Sequence, residues 1–307
     1  MQLQDTADTT TLSYWLNWRV YLCALCVLLP MVVAFLVIWK HEGSRDSMHG
    51  KGKNQQDGNG TLPGDEAWKP CLKEIHPICL LAFRVIAFAS LLATLIAKVS
   101  INGGTIFYYY TQVDFHFGYN LFCNVDQERN MPFMHHEVAN LSRMEDHADT
   151  LVEMHRGSVT ATLSCLFRVL FQMNAGAVML TDCVYWFIIF PFLTLKDYDW
   201  NFMTVNMHTL NVILLLGDTA LNCLQVPWTG MSFFVLWTGA FVIFQWIIHA
   251  CVPIWWPYPF LDLSLPLAPL WYLLVGLLHI PCYGLFVLIV EMKHYFLSKW
   301  FPSSYQC

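Results

Sequence analysis

Runs of about twenty mainly apolar residues recur along the chain, and no other feature limits its fold so sharply. A helix rises about 1.5 Å per residue, so about 20 residues cross a hydrocarbon core of about 30 Å. Seven such stretches are expected to span a membrane: 20–39, 79–97, 105–123, 169–193, 207–223, 231–250 and 268–290. The third and fifth are the most polar, and six spans result if one of them stays out of the bilayer. Composition agrees, since 56% of the 307 residues are hydrophobic and 12% charged, against about 25% charged in a soluble domain. The implied fold is all-α, a polytopic transmembrane helix bundle. It divides into an N-terminal tail (1–19), a first transmembrane helix (20–39), a polar and partly disordered linker (40–78), a core helix bundle (79–293) carrying a polar loop at 124–158, and a tail (294–307).

The net charge is modest at −6, with no basic stripe and no phosphate-cradling glycine loop, so nucleic acid is not an expected partner. Asp5 and Asp8, in place of a basic leader, argue against a cleaved signal peptide. Most of the eleven cysteines sit in apolar runs, where Cys23, Cys26, Cys165, Cys183, Cys223 and Cys282 read as small packing residues. Cys23 and Cys26 have CxxC spacing but lack a second pair. His135, His136, Glu137, His147 and His155 match no zinc or di-iron spacing, so neither a metal nor another cofactor is expected.

Lys and Arg resist translocation, so their distribution sets orientation. Eleven flank one side (Lys40, Arg45, Lys51, Lys53, Lys69, Lys73, Arg129, Arg143, Arg156, Lys293, Lys299) and three the other (Arg19, Lys98, Lys196). The N-terminus is therefore expected outside or in the lumen, and the C-terminus in the cytosol, in the endoplasmic reticulum or plasma membrane. Asn59-Gly60-Thr61 is a glycosylation sequon that this topology leaves silent.

Ionisable residues at membrane depth cost about 3 kcal/mol on insertion scales, so each asks for a reason. At about 100° per residue, His208, Asn211, Asp218, Thr219 and Asn222 form one stripe on the fifth span, which must face the bundle or water. Such a stripe serves either interhelical hydrogen bonding or chemistry. His208 sits at the start of its span, where a neutral imidazole can accept a proton near pH 7. The third span carries Tyr108, Tyr109, Tyr110, Thr111, Gln112, Asp114 and His116. Thr111 and Asp114 share a helix face, although a membrane threonine can also bond back to its own helix.

With seven spans, the third and fifth start on the same side, so Thr111 and His208 lie toward one membrane face. His249 and the turn Trp255-Trp256-Pro257-Tyr258-Pro259 reach that face too, as an aromatic belt or as the rim of a groove for an amphiphile. On the fourth span, Asp182 either orients a histidine or bonds within the bundle, and Ala175-Gly176-Ala177 permits close helix approach. His279 reads as a core histidine.

The stretches Phe107 to Gln112 (FYYYTQ), Ala175 to Asp182 (AGAVMLTD), Asn206 to Asn211 (NMHTLN) and Trp256 to Asp262 (WPYPFLD) resemble plant members of the rolling stone-like membrane proteins. These in turn are similar to the androgen-induced protein family of vertebrates. The plant resemblance extends from about Leu16 to His294. Some vertebrate members are intramembrane hydrolases of fatty acid esters of hydroxy fatty acids that depend on a threonine and a histidine. By motif the threonine is Thr111 and the histidine His208. The resemblance thus implies a threonine nucleophile activated by a histidine base on an amphiphilic lipid ester, with membrane lipid as surroundings. Possible supporting groups are Gln112, Asp114, Asp182, Asn211 and Asp218, with Trp255, Trp256 and Tyr258 as substrate rim. This chain departs from the plant pattern at Val113-Asp114-Phe115, where relatives continue with a Trp-Thr-Phe run, and in the loop 124–158. The alternative reading is a non-catalytic membrane scaffold, receptor or lipid-binding protein whose polar stripe serves packing.

Overall fold

The computed structural model describes residues 8–49, 68–102, 146–194 and 202–307. Among them are seven α-helices: α1 (Leu12–Trp15), α2 (Trp18–His49), α3 (Pro77–Asn102), α4 (Asp146–Val184), α5 (Phe202–Leu221), α6 (Gly230–Cys251) and α7 (Ala268–Trp300). Stretches within α2, α3, α4, α6 and α7, the fourth continuing past Val184 to Ile188, are long and apolar enough to cross a membrane. A shorter apolar helix, His208–Leu221 within α5, accompanies them. The chain is thus an all-α integral membrane bundle, and six of the seven expected spans fall on these helices. The seventh, at 105–123, lies outside the described residues.

Two polar regions are more helical than composition suggested. α2 continues past the expected end at 39 to His49, and α4 begins at Asp146, inside the stretch read as loop. Neither extension contains proline, and a nucleated helix propagates at little cost per residue, so both run on beyond the apolar stretch. α7 likewise runs to Trp300, past the expected boundary at 290. After Val184 the helix widens to π geometry over Tyr185–Thr194. Pro191 lies within this stretch and has no N–H for the regular ladder, which favours a local change of pitch.

α4, α6 and α7 pack together, α2 lies against α6 and α7, α5 against α4, and α3 against α5. Their shared core includes Ala175, Val178, Phe234, Tyr283 and Phe286. Gly176 makes the α4–α6 approach possible: a Cβ there would stand 2.6 Å from the Phe234 ring. The expected close contact at Ala175-Gly176-Ala177 is therefore present. Outward, α2 presents Leu22, Leu25, Leu29, Val32 and Leu36, and α7 presents Leu270, Leu273 and Leu277. In water such faces would drive aggregation; in a bilayer they meet lipid tails of their own polarity.

Contacts between connections identify the two ends of the bundle. At one end Tyr14 Oη donates to Asp262 Oδ1 (2.9 Å) and Arg19 Nη1 to Ser264 O (2.9 Å). At the other, Cys71 N donates to Leu221 O (2.9 Å) and Lys73 N to Ser304 O (2.9 Å). These ends are termed the Asp262 face and the Cys307 face. α3 starts at the Cys307 face and ends, at Asn102, toward the Asp262 face. Trp68, two residues before Pro70 on the Cys307 face, donates from Nε1 to Ser164 Oγ (3.3 Å), so the apolar part of α4 starts at the Cys307 face. The described chain therefore departs at one face and resumes at the other.

A candidate site around His208

α4 and α5 meet at the Asp262 face through a hydrogen bond from His208 Nδ1 to Asp182 Oδ1 at 2.8 Å. Tyr185, the first residue of the π-helical stretch that follows α4, stacks on the imidazole with ring centroids 3.9 Å apart and planes 10° from parallel. One helix turn thus fixes both the position and the plane of the ring. An ionised carboxylate only accepts, so Nδ1 carries the proton, and in the neutral ring Nε2 keeps its lone pair. This is the tautomer a general base needs. His208 retains partial exposure while Asp182 is buried, and among the described residues Asp182 Oδ2 has no hydrogen-bond partner.

The remainder of the α5 stripe is buried, as its angular spread required, with Asn211, Asp218, Thr219 and Asn222 all inside the bundle. Its lower part is held by structural partners. Arg84 of α3 donates from Nε and Nη2 to the two Asp218 oxygens, the second contact at 3.2 Å, and Asn222 Nδ2 donates to Asp218 Oδ2 at 3.0 Å. The guanidinium also lies over Phe167 at 5.0 Å and Trp68 at 5.7 Å. Asp218 is ten residues beyond His208, about 15 Å along the helix, so it ties α5 to α3 at a distance from the imidazole.

The aromatic turn divides in two. Trp255 is exposed, whereas Trp256 is buried and stacks on His249 at 3.7 Å. Tyr258 packs partly buried against the core. His249 Nδ1 bonds to Gln245 O at 2.7 Å. His279 is a core histidine, bonded from Nδ1 to Val275 O at 2.8 Å and stacked on Phe234. Thr181 bonds back to Ala177 O at 2.8 Å, the ordinary habit of a helix threonine. Thr111, Gln112 and Asp114 lie outside the described residues.

One expectation is overturned. Cys223, read as a packing residue, is bonded to Cys307, 84 residues away. Sequence gives no hint of the pairing because it depends on the tail after α7 folding back beside the end of α5. Tyr185 and Arg84 were also missed. Arg84 had a usable signal, since an arginine inside an apolar span demands a partner.

Fold and site together define an integral membrane helix bundle with a carboxylate-held histidine at one face. No family model, curated protein or solved structure matches the chain.

Proposed function

We propose that the protein is an intramembrane lipid esterase in which His208, oriented by Asp182 and Tyr185, acts as general base on the hydroxyl of Thr111. The observation that carries this reading is the Asp182–His208 hydrogen bond, which leaves Nε2 as the acceptor. A threonine hydroxyl is a weak nucleophile until a base takes its proton, and the same imidazole can return that proton to the leaving alcohol. The carboxylate stabilises the imidazolium formed in between.

The described chain leaves at Asn102 toward the Asp262 face, and the apolar part of α4 starts at the opposite face, which supports the reading of a span at 105–123. On this reading a span at 105–123 would start at the Asp262 face and carry Thr111 on its second turn, toward the level of His208. Asp182 Oδ2, a buried acceptor open among the described residues, is available to a donor on that span. The resemblance to rolling stone-like and androgen-induced proteins supports the same threonine and histidine. The substrate class is a branched fatty ester such as a fatty acid ester of a hydroxy fatty acid, which enters from lipid past Trp255. On this reading the protein sits in the endoplasmic reticulum or plasma membrane with its C-terminus in the cytosol.

Purified protein in detergent should hydrolyse such an ester, and Thr111→Ala and His208→Ala should each reduce turnover by about a hundredfold or more. Equal turnover in all three proteins would sink the mechanism. A non-catalytic scaffold, receptor or lipid-binding role would then stand, in keeping with the structural use of the lower stripe by Arg84, Asp218 and Asn222.

A further inference from the structure

Three sulfurs from remote stretches converge at the Cys307 face. Cys71 precedes α3, Cys223 follows α5, and Cys307 lies in the segment after α7. Their Sγ atoms all lie within 4.8 Å of one another, Cys223 and Cys307 being joined as a disulfide with Cα atoms 5.3 Å apart. Backbone contacts build the cluster. Cys71 N donates to Leu221 O (2.9 Å), Cys223 N to Lys69 O (3.0 Å) and Gln306 N to Cys71 O (3.1 Å). Side chains reinforce it, with Lys69 Nζ on Gln306 O (2.9 Å) and Gln306 Nε2 on Pro70 O (2.8 Å). Cys71 is buried and donates its S–H to Asn222 O at 2.6 Å. The Lys293 ammonium, fixed by Thr219 O (3.0 Å) and Asn222 O (2.8 Å), lies beside the Cys71 sulfur.

We propose that Cys71, Cys223 and Cys307, when reduced, form a three-thiolate site for a cuprous ion. This rests on the orientation that the basic residues favour, which puts the Cys307 face in the cytosol, where thiols are kept reduced and clustered cysteines more often bind metal than crosslink. Coordination number selects the ion. Soft thiolates favour Cu⁺ and Zn²⁺, but structural zinc takes four ligands, and among the described residues no fourth histidine, cysteine or carboxylate joins the group. With metal–sulfur bonds of about 2.3 Å, the sulfurs of a trigonal site stand about 4 Å apart. The Cys71 sulfur already lies within 4.8 Å of the other two, and opening the disulfide would free the exposed Cys307 to reach that spacing. Three thiolates around Cu⁺ carry two net negative charges, which the adjacent Lys293 ammonium partly offsets.

The chemistry balances in two steps. A dithiol reductant gives two electrons and two protons to the Cys223–Cys307 bond and becomes a disulfide itself. Cu⁺ then displaces one proton from each of three thiols. Because each thiol gives up its proton on binding, affinity should weaken as pH falls.

The test uses the full chain in detergent, reduced with a phosphine and kept free of oxygen, with Cu⁺ delivered from a bicinchoninate complex. Bound Cu⁺ should protect Cys71, Cys223 and Cys307 from maleimide, read site by site by mass spectrometry, and leave Cys251 unprotected. Cys71→Ser and Cys307→Ser should each weaken Cu⁺ binding by at least about tenfold. Serine keeps the hydrogen bond to Asn222 O, so the Cys71→Ser chain should retain its thermal transition; Cys307→Ser, in an exposed position, provides the same test without touching buried packing. Three outcomes would overturn the proposal: no protection of the three cysteines, undiminished binding in both variants, or a Cys223–Cys307 disulfide that persists in acid-quenched cells with trapped thiols.

Discussion

An imidazole serves as a base only through the ring nitrogen that its neighbours leave bare, and at His208 that choice is made by Asp182. On the proposed esterase mechanism, Asp182→Asn keeps a polar partner of the same size but removes the charge that would stabilise the imidazolium. The variant should fold with an unchanged thermal transition and lose about a hundredfold or more in kcat, with little change in KM. Tyr185→Phe, which retains the stacked ring, should stay within about threefold of the native rate. Matching losses of stability and rate in Asp182→Asn would instead assign the pair to packing. At this scale the sequence was half legible. His208 and Asp182 stood out because ionisable groups at membrane depth are costly, but their partnership depends on how α4 packs against α5, and the Tyr185 ring stacked on the imidazole opens the widened helical stretch. No periodicity in YWFIIFPFLT announces that change of pitch beyond the presence of Pro191.

Individual helices were the most legible level, because length and apolarity act over about twenty residues and tolerate local exceptions. Their pairing was less so. In hydrocarbon, apolar surface does not select one neighbour over another, and selectivity passes to small residues and polar contacts. Gly176 against Phe234 is one such contact, and was foreseeable from the Ala-Gly-Ala run. Arg84 with Asp218 is the other, joining α3 to α5. Breaking a buried pair by removing one partner strands the other charge and costs about 3–5 kcal/mol. Arg84→Met should therefore destabilise the folded chain strongly in a detergent unfolding assay. Arg84→Met combined with Asp218→Asn should recover most of that loss, since no charge is left stranded. A double variant as unstable as the single one would mean that the Trp68 and Phe167 contacts of Arg84, rather than its ion pair, hold α3 in place.

For the molecule as a whole, orientation links the two proposals, and two local features oppose the charge distribution. One is the Cys223–Cys307 disulfide at the Cys307 face; the other is the Asn59 sequon, which the charge-based topology expects on that same basic side. Disulfides and glycans belong to the lumen or exterior, and basic loops to the cytosol. Eleven Lys and Arg against three act cooperatively during insertion, whereas a disulfide forms afterwards and only if its compartment oxidises it, so charge should decide. Thr10 and Ser303 are exposed on opposite faces and serve as reporters. In a chain with Cys79, Cys251 and Cys307 replaced by serine, Ser303→Cys should react with an impermeant maleimide in sealed vesicles whose cytosolic face is outward. Thr10→Cys should react only after detergent is added. The reverse pattern would make Asn59 a glycan acceptor and Cys223–Cys307 a stable crosslink, removing the conditions for cuprous ion binding. It would leave the His208 site intact but turn its face to the cytosol, because the level of His208 within the bundle is set by helix packing and not by which way the bundle was inserted.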